Sequence, residues 1–146
     1  MKTFAAACGV LLLMLVGCAG TETRTYDVTV KNDSSKPLIV WLTKNGPEYE
    51  EGWKAPEDLA IENPKNDPLG FQLVPPGKTA YTGAIKGKFA PQTSAILRVY
   101  VGQHTFGELL AISRGSPSRI ELTLEPGVNE FVAKDDLGIV KITRSK

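Results

Sequence analysis

The feature that most restricts the fold of this chain is a series of short, β-rich runs that begins at Tyr26 and is interrupted by Gly, Pro and Asp. In the first run Tyr26, Val28 and Val30 alternate with polar residues, which is typical of a strand with one solvent-exposed face. Residues 38–42 are apolar throughout, as expected for a strand covered on both faces. No helical periodicity extends beyond two turns. The pattern predicts an all-β domain.

Nine segments have the length and composition of strands. They are residues 26–31, 38–42, 71–74, 79–83, 95–101, 106–113, 119–124, 128–134 and 139–144. In the fifth segment Ala95, Leu97, Val99 and Val101 share one face, and such a strand requires an opposing apolar surface. Two sheets packed face to face supply it. We therefore predict an antiparallel β-sandwich of about eight or nine strands.

Two passages repeat the order strand, Pro-Gly turn, strand, with Pro76-Gly77 in the first and Pro126-Gly127 in the second. Proline sets φ for the first turn position and glycine tolerates a positive φ at the next, so each pair reverses the chain. These turns resemble those of immunoglobulin-like bacterial β-sandwich modules, and the resemblance extends loosely over residues 26–144. It implies an immunoglobulin-like sandwich. The sequence lacks the cysteine pair and the tryptophan spacing of immunoglobulin domains, so no named family is assigned to the domain.

The first seventeen residues have the features of a secretory signal peptide. Lys2 supplies a positive charge, and residues 4–16 form an uncharged run of 13 residues, shorter than the roughly 20 that a membrane-spanning helix needs. Leu15-Val16-Gly17-Cys18 ends this region and resembles the lipobox of bacterial lipoprotein precursors. An uncleaved signal anchor and an ordinary signal with an incidental cysteine are the alternatives.

The lipobox resemblance implies that Cys18 becomes the first residue of the mature protein and carries a diacylglyceryl group and a further fatty chain such as palmitate. Several acyl chains give stable attachment to a membrane without a membrane-spanning helix. In Gram-negative cells Ala19 after the cysteine implies the outer membrane. The predicted organisation is a signal peptide at 1–17, the lipidated cysteine and a polar tether at 18–25, and the sandwich at 26–146. The short tether places the domain against its membrane.

Composition excludes several classes of function. After removal of residues 1–17 the chain has no methionine and only Cys18 as a thiol, which excludes an intramolecular disulfide, a thiolate metal site and a blue-copper site. A formal net charge of +1 and an exported location argue against nucleic-acid binding. His104 is the only histidine, and no nucleophile motif accompanies it. We predict no catalytic residue, no metal and no cofactor.

Residues 44–70 form a long segment without a clear strand, and such segments are often functional. The segment contains seven acidic residues and three lysines, whereas residues 78–146 contain ten basic and six acidic residues. The molecule is therefore predicted to be electrically asymmetric. Residues 56–61 favour one or two helical turns, because proline suits the first helical position and early carboxylates oppose the helix dipole.

An acidic and aromatic cluster in this segment is the candidate contact site. Its members are Glu48, Tyr49, Glu50, Glu51 and Trp53. Large aromatic faces beside carboxylates suit either a protein partner or a glycan. For Trp53, Leu59 and Ile61, a lid that packs over one end of the sandwich is favoured over ligand contact, because isolated aromatic residues more often pack than bind. We predict a membrane-anchored extracytoplasmic recognition or envelope-accessory module, with a protein partner favoured. A carbohydrate-binding module is the alternative, and a hydrolase using Glu48, Glu51, Glu57 and Asp58 is the third reading.

Overall fold

The computed structural model describes residues 20–47, 49–50, 52–62 and 71–146. Eight strands and two short helices follow one another along these residues. They are β1 (Glu22–Asp33), β2 (Leu38–Lys44), α1 (Pro56–Glu62), β3 (Phe71–Val74), β4 (Thr79–Phe89), β5 (Ala95–Val101), α2 (Phe106–Ala111), β6 (Arg119–Thr123), β7 (Gly127–Asp136) and β8 (Ile139–Arg144). Helix α1 confirms the short helix predicted within the long acidic segment.

The strands form two four-stranded sheets. The first sheet has the order β4-β1-β7-β8 and the second has the order β3-β2-β5-β6. Their inner faces enclose one apolar core, which confirms the predicted all-β sandwich. The pairing is antiparallel except between β1 and β7, which run parallel from the Tyr26 and Gly127 pair to the Asp33 and Lys134 pair. A parallel pair joins strands that are distant in sequence, because parallel neighbours need a long crossover connection.

Both Pro-Gly turns carry the chain from the second sheet to the first. The turn between β3 and β4 has Gly77 at φ 77°, and the turn between β6 and β7 has Gly127 at φ 97°. A buried asparagine holds each turn: Nδ2 of Asn32 donates to Val74 O at 2.9 Å, and Nδ2 of Asn129 donates to Glu125 O at 2.7 Å. Each turn thus has the same parts, a glycine with positive φ and a buried asparagine, and each takes the chain from one sheet to the other.

Strand β2 is buried on both faces, as the sequence predicts. Leu38, Val40 and Leu42 face the core between the sheets. Ile39 and Trp41 face the opposite side, where Leu109 of α2 packs against them. Helices α1 and α2 therefore lie on the outer face of the second sheet and cover part of it.

The strand predicted for residues 106–113 is wrong, because this segment forms α2 followed by an irregular stretch. A capping box starts the helix: Thr105 Oγ1 accepts from Glu108 N at 3.3 Å, and Glu108 Oε2 accepts from Thr105 N at 2.6 Å. The two bonds satisfy amide groups that a helix start leaves unpaired. Packing of Leu109 on the second sheet then supplies the stability that so short a helix lacks alone.

Strand β1 begins four residues before the predicted start of the domain. Residues 22–25, predicted as part of the tether, pair with β4 from the Glu22 and Phe89 pair onward. In sequence, only Ala19, Gly20 and Thr21 separate Cys18 from β1. Cys18 and the predicted signal peptide lie outside the described residues. In the described part of the chain, no helix has the length and apolar character needed to cross a membrane.

The sandwich has two ends that can be named from β1. The proximal end contains the start of β1, where Glu22 pairs with Phe89, and the end of β2, where Lys44 pairs with Ala95. A hydrogen bond from Arg24 Nη1 to Thr93 O, at 2.8 Å, joins the two sheets at this end. The distal end contains the end of β1, the β3–β4 turn and the β7–β8 turn. The 12 residues of β1 separate these ends by about 40 Å at the usual rise of a strand.

Candidate functional site

The predicted contact cluster lies at the proximal end, where Trp53 is a core residue. Its side chain is 1% exposed. The indole makes edge contacts with Tyr26 and Phe89 at centroid distances of 5.7 and 5.4 Å, and Nε1 donates to Lys86 O at 2.9 Å. A Cβ atom on Gly87 would lie 2.8 Å from this ring, so glycine allows the close approach. Trp53 therefore fastens the acidic segment into the core and offers no face to a ligand.

Glu50 attaches the same segment to both sheets. Its Oε2 pairs with the fully buried Nζ of Lys44 on β2, and its Oε1 accepts from the backbone N of Lys88 on β4 at 2.6 Å. Burial raises the pKa of Glu50, but the hydrogen bonds from Lys44 and Lys88 outweigh it and the net pKa is lowered. Lys44 Nζ also lies 4.5 Å from the centroid of Phe89. A cation among aromatic rings with a carboxylate beside it stabilises this end of the sandwich.

The cluster is thus divided between the interior and the surface. Tyr49 is 41% exposed and is available for contact. Glu48 and Glu51 lie outside the described residues. Trp41, the other tryptophan, is buried and its Nε1 donates to Lys54 O at 2.7 Å. Neither tryptophan presents a face on which a sugar ring could stack.

A second group of charged residues lies on the outer face of the second sheet, around Arg98 of β5. Its Nε donates to Glu121 Oε1 at 2.8 Å and its Nη1 donates to Glu57 Oε2 at 2.8 Å. Arg119 Nη2 donates to the same Glu121 oxygen at 2.8 Å. Arg114 Nε lies 3.1 Å from Glu121 Oε2. Glu57 on α1 and Glu121 on β6 are therefore held by three arginines.

The protonation of these carboxylates follows from their neighbours. Burial raises the pKa of Glu57, but the hydrogen bond from Arg98 outweighs it and the net pKa is lowered. Burial likewise raises the pKa of Glu121, and the hydrogen bond from Arg119 with the charges of the arginines makes the net pKa low. Both groups are ionised at neutral pH. A carboxyl group in this setting suits ion pairing, since a general acid needs a raised pKa.

Beside these ion pairs the outer face forms a polar groove of about 320 Å³. We call it the arginine groove, and its lining consists of Thr43, Lys44, Asn45, Ile96, Arg98, Arg114, Arg119, Glu121 and Thr123. It is shaped by register, because Thr43 pairs with Ile96 and Ile96 pairs with Thr123 across three neighbouring strands. Residues with the same parity on these strands share the outer face. The groove therefore exists only once β2, β5 and β6 lie side by side.

Thr43 is the residue of this groove whose hydrogen bonding is incomplete. It is 2% exposed, and its Oγ1 makes no hydrogen bond with any residue that the structure describes. A buried hydroxyl without a partner costs on the order of 1–3 kcal/mol. Buried polar groups in native proteins normally have a hydrogen-bond partner, so the Thr43 hydroxyl requires an explanation such as a further group that bonds to it.

A separate cavity of about 240 Å³ lies between the two sheets. Among its described lining residues, Gln72 and Thr82 carry polar side chains, and Thr82 Oγ1 already donates to Gly83 O at 2.9 Å. The rest of the described lining is apolar except for the backbone of Gly52. The cavity therefore has few polar groups that could orient a ligand.

His104 has a local structural role. Its Nε2 shares a hydrogen bond with Val101 O at 2.8 Å, and its ring lies against Gly102. Within the described ranges, no group of three or more His, Cys, Asp or Glu side chains is arranged to hold a metal ion. His104 thus belongs to the connection between β5 and α2.

At the distal end the β7–β8 turn exposes apolar side chains. Leu137 is 98% exposed, and Ile139 next to it is also exposed. Leu137 and Gly138 have φ of 51° and 84°, as in the two-residue type I′ turns of hairpins. A leucine is unfavourable in this conformation, which Asn and Gly adopt more easily.

Sequence reasoning missed the arginine groove and the distal turn. The signal that could have indicated the groove is Arg98, the one charged residue in the strand 95–101, on the face opposite Leu97 and Val99. That position indicates a buried cation with a partner, because unpaired charges are excluded from interiors. The partners Glu57 and Glu121 carry no local signal, since their approach to Arg98 depends on the sheet order.

Comparison with known proteins finds similarity among solved structures. No protein-family model matches the sequence, and no curated protein matches it. Among solved structures, the chain is similar to Serratia marcescens Lip, a membrane bound component of the Type VI Secretion System. The two are 12% identical, the match covers 82% of this chain and 97% of that chain, and the TM-score is 0.39.

Proposed function

We propose that this protein is a bacterial lipoprotein, anchored by acyl chains on Cys18, whose sandwich presents its distal end to another protein of the cell envelope. The lipobox tetrad ending at Cys18 supports the anchor. The exposed Leu137 in a strained turn, at the end of the sandwich farthest from that anchor, supports the contact site.

The first step of the argument is the position of the anchor. Only three residues lie between Cys18 and β1, and three extended residues reach about 10 Å. The proximal end of the sandwich is therefore held at the level of the lipid headgroups. β1 then points away from the membrane for about 40 Å. The distal end is the part of the domain that reaches other envelope components first.

The second step is the chemistry of the distal turn. Leu137 combines nearly full exposure with a positive φ, so neither core packing nor backbone preference explains a leucine there. Strain of this kind is characteristic of functional positions. With Ile139 it forms a small apolar surface, which we call the distal tip. An apolar side chain on a stiff hairpin suits insertion into a pocket of a protein partner.

The contact is tested by photocrosslinking in membranes of the native host. A benzoylphenylalanine residue replaces Ile139, and a matched control replaces Val128, which is also exposed but lies near the proximal end. We expect a defined protein adduct from position 139 and none of that mass from position 128. Adding Leu137→Asp should remove the adduct. An adduct that persists with Leu137→Asp would contradict the proposed contact.

The anchor is tested separately on the same strains. Mass spectrometry of the N-terminal peptide should find an acylated Cys18, and Cys18→Ser should release the protein from the membrane fraction or leave the precursor unprocessed. An unmodified Cys18 behind a retained N-terminal methionine would refute the lipoprotein assignment.

A further inference from the structure

The arginine groove opens at the proximal end of the sandwich. Leu109 of α2 packs on Ile39, Trp41 and Tyr100, and this covers the distal half of the outer face of the second sheet. Thr43, which pairs with Ile96, lies further toward the proximal end, where Asn45 N bonds Ser94 O. The open half of this face therefore lies at the same end as the start of β1.

The groove has more hydrogen-bond donors than its own carboxylates use. Glu121 engages Nε of Arg98 and Nε of Arg114, and Glu57 engages Nη1 of Arg98. Nη2 of Arg98 and both terminal nitrogens of Arg114 donate to no described residue. The side chain of Arg114 is 84% exposed and can move toward a ligand. The three arginines and the two carboxylates of Glu57 and Glu121 together carry a net charge of +1.

The buried hydroxyl of Thr43 is an independent sign of a missing hydrogen-bond partner, since its Oγ1 bonds to no described residue. It lines the same groove and lies diagonally across the β2–β5 pair from Arg98. Such diagonal neighbours lie about 7–8 Å apart. An oxoanion accepts several hydrogen bonds at once and pairs bidentately with guanidinium groups. A phosphate oxygen would provide the acceptor that Thr43 Oγ1 lacks.

We infer that the arginine groove binds a phosphate group, and that this phosphate belongs to the headgroup of an anionic lipid in the membrane to which Cys18 is anchored. The lipid source rests on the proposed function, because it needs the proximal end to lie at the membrane surface. The phosphate site itself rests only on Thr43 and the arginines. Bound headgroups would fix the orientation of the sandwich on its short tether and keep the distal tip directed outward.

The first arm of the test measures inorganic phosphate binding without any acyl chain. The full chain with Cys18→Ser, in neutral detergent, is titrated with phosphate at constant ionic strength, and the methyl NMR signals of Thr43 and Ile96 are followed. We expect saturable shifts, an affinity at least tenfold lower in Arg114→Ala, and a loss in Thr43→Val. Lys141→Ala removes the same charge from β8 and should leave the affinity unchanged. No saturable shift, or equal losses in Arg114→Ala and Lys141→Ala, would overturn the site.

The second arm identifies the source of the phosphate. The acylated chain is placed in nanodiscs of phosphatidylcholine with or without phosphatidylglycerol. We expect the Thr43 and Ile96 signals to shift when phosphatidylglycerol is present. In Arg114→Ala the same signals should stay at their positions in phosphatidylcholine alone. Shifts with inorganic phosphate but none with phosphatidylglycerol would overturn the lipid source and assign the groove to a free phosphate. Because the first arm uses Cys18→Ser, a failure of acylation cannot be mistaken for a failure of the site.

Discussion

The carboxylate of Glu57 accepts two hydrogen bonds from Nη1 of Arg98, at 3.1 and 2.8 Å, and this contact joins α1 to the middle of β5. The two residues are 41 positions apart in the chain. Glu57 belongs to the acidic segment 44–70 and Arg98 to the basic half of the molecule. The charge asymmetry of the sequence is therefore used within the molecule, where it attaches the long segment to the second sheet.

Arg98→Leu should lower the free energy of unfolding by about 3 kcal/mol, because it leaves Glu57 and Glu121 without their most buried cation. Arg114→Ala removes a cation from the same Glu121, but Arg114 is exposed and its loss should cost less than about 0.5 kcal/mol. Urea unfolding followed by circular dichroism measures both values. Equal costs would show that the burial of Arg98 does not determine its contribution.

Stability should fall in acid because of Glu57 and Glu121. Their pKa values are lowered in the folded state, so their contribution is complete above the unfolded pKa of about 4.3 and is lost as the pH falls through the folded pKa. The free energy of unfolding should therefore decrease from pH 5 to pH 3. The double variant Glu57→Gln, Glu121→Gln should be less stable at pH 7 and show a shallower decrease. An unchanged slope would assign the acid sensitivity to other groups.

Trp53→Ala should cost about 3–5 kcal/mol, as expected for loss of a buried tryptophan, because it opens a cavity beside Tyr26 and Phe89. Tyr49→Ala, four positions earlier in the same segment, should change the stability by less than about 0.5 kcal/mol, since its side chain is exposed. Thermal and denaturant unfolding give both values. A small effect of Trp53→Ala would mean that the acidic segment is not fastened into the core.

Thr43→Val should raise the free energy of unfolding by about 1 kcal/mol, because it removes a buried hydroxyl without a partner and keeps the side-chain shape. Thr123→Val on the same face, where the side chain is exposed, serves as the control and should have little effect. The same Thr43→Val variant should lose phosphate affinity. A variant that is more stable but binds less would indicate that Thr43 is retained for binding.

Leu137→Asn should stabilise the isolated protein by about 0.5–1 kcal/mol, since asparagine suits a positive φ better than leucine in a type I′ turn. The loss of an apolar side chain costs little there because it is already exposed. The same change should weaken the crosslink formed from position 139. Destabilisation by Leu137→Asn would mean that Leu137 contributes to the fold rather than to a partner contact.

Much of the architecture was predictable from local pattern. Alternation in β1, the apolar run of β2 and the shared face of Ala95, Leu97 and Val99 predict strands that need an opposing sheet. The two Pro-Gly turns mark chain reversals that the structure confirms. The helix α2 was missed although its capping box, Thr105 and Glu108, is readable in the sequence. A six-residue helix has too few turns for periodicity to separate it from a strand.

The candidate sites were less predictable than the fold. The aromatic and acidic composition of 48–53 was compatible with a contact cluster and with a packed lid, and in the structure Trp53 is in the core and Glu50 is paired with Lys44. Composition gives the residue types of a segment and not the side of the domain on which they lie. The exposed Leu137 had no signal beyond a glycine that follows it.

Local sequence decided what depends on neighbours a few residues apart: strand periodicity, turn chemistry and the cap of α2. The lipobox ending at Cys18 is likewise a prediction from local sequence. Tertiary structure alone decided the order of strands in each sheet, the parallel pairing of β1 with β7 and the meeting of Thr43, Arg98 and Glu121. The physical reason is that long-range pairing is selected by the total burial of both sheets. No short segment contains that information, so the groove becomes visible only when three strands lie side by side.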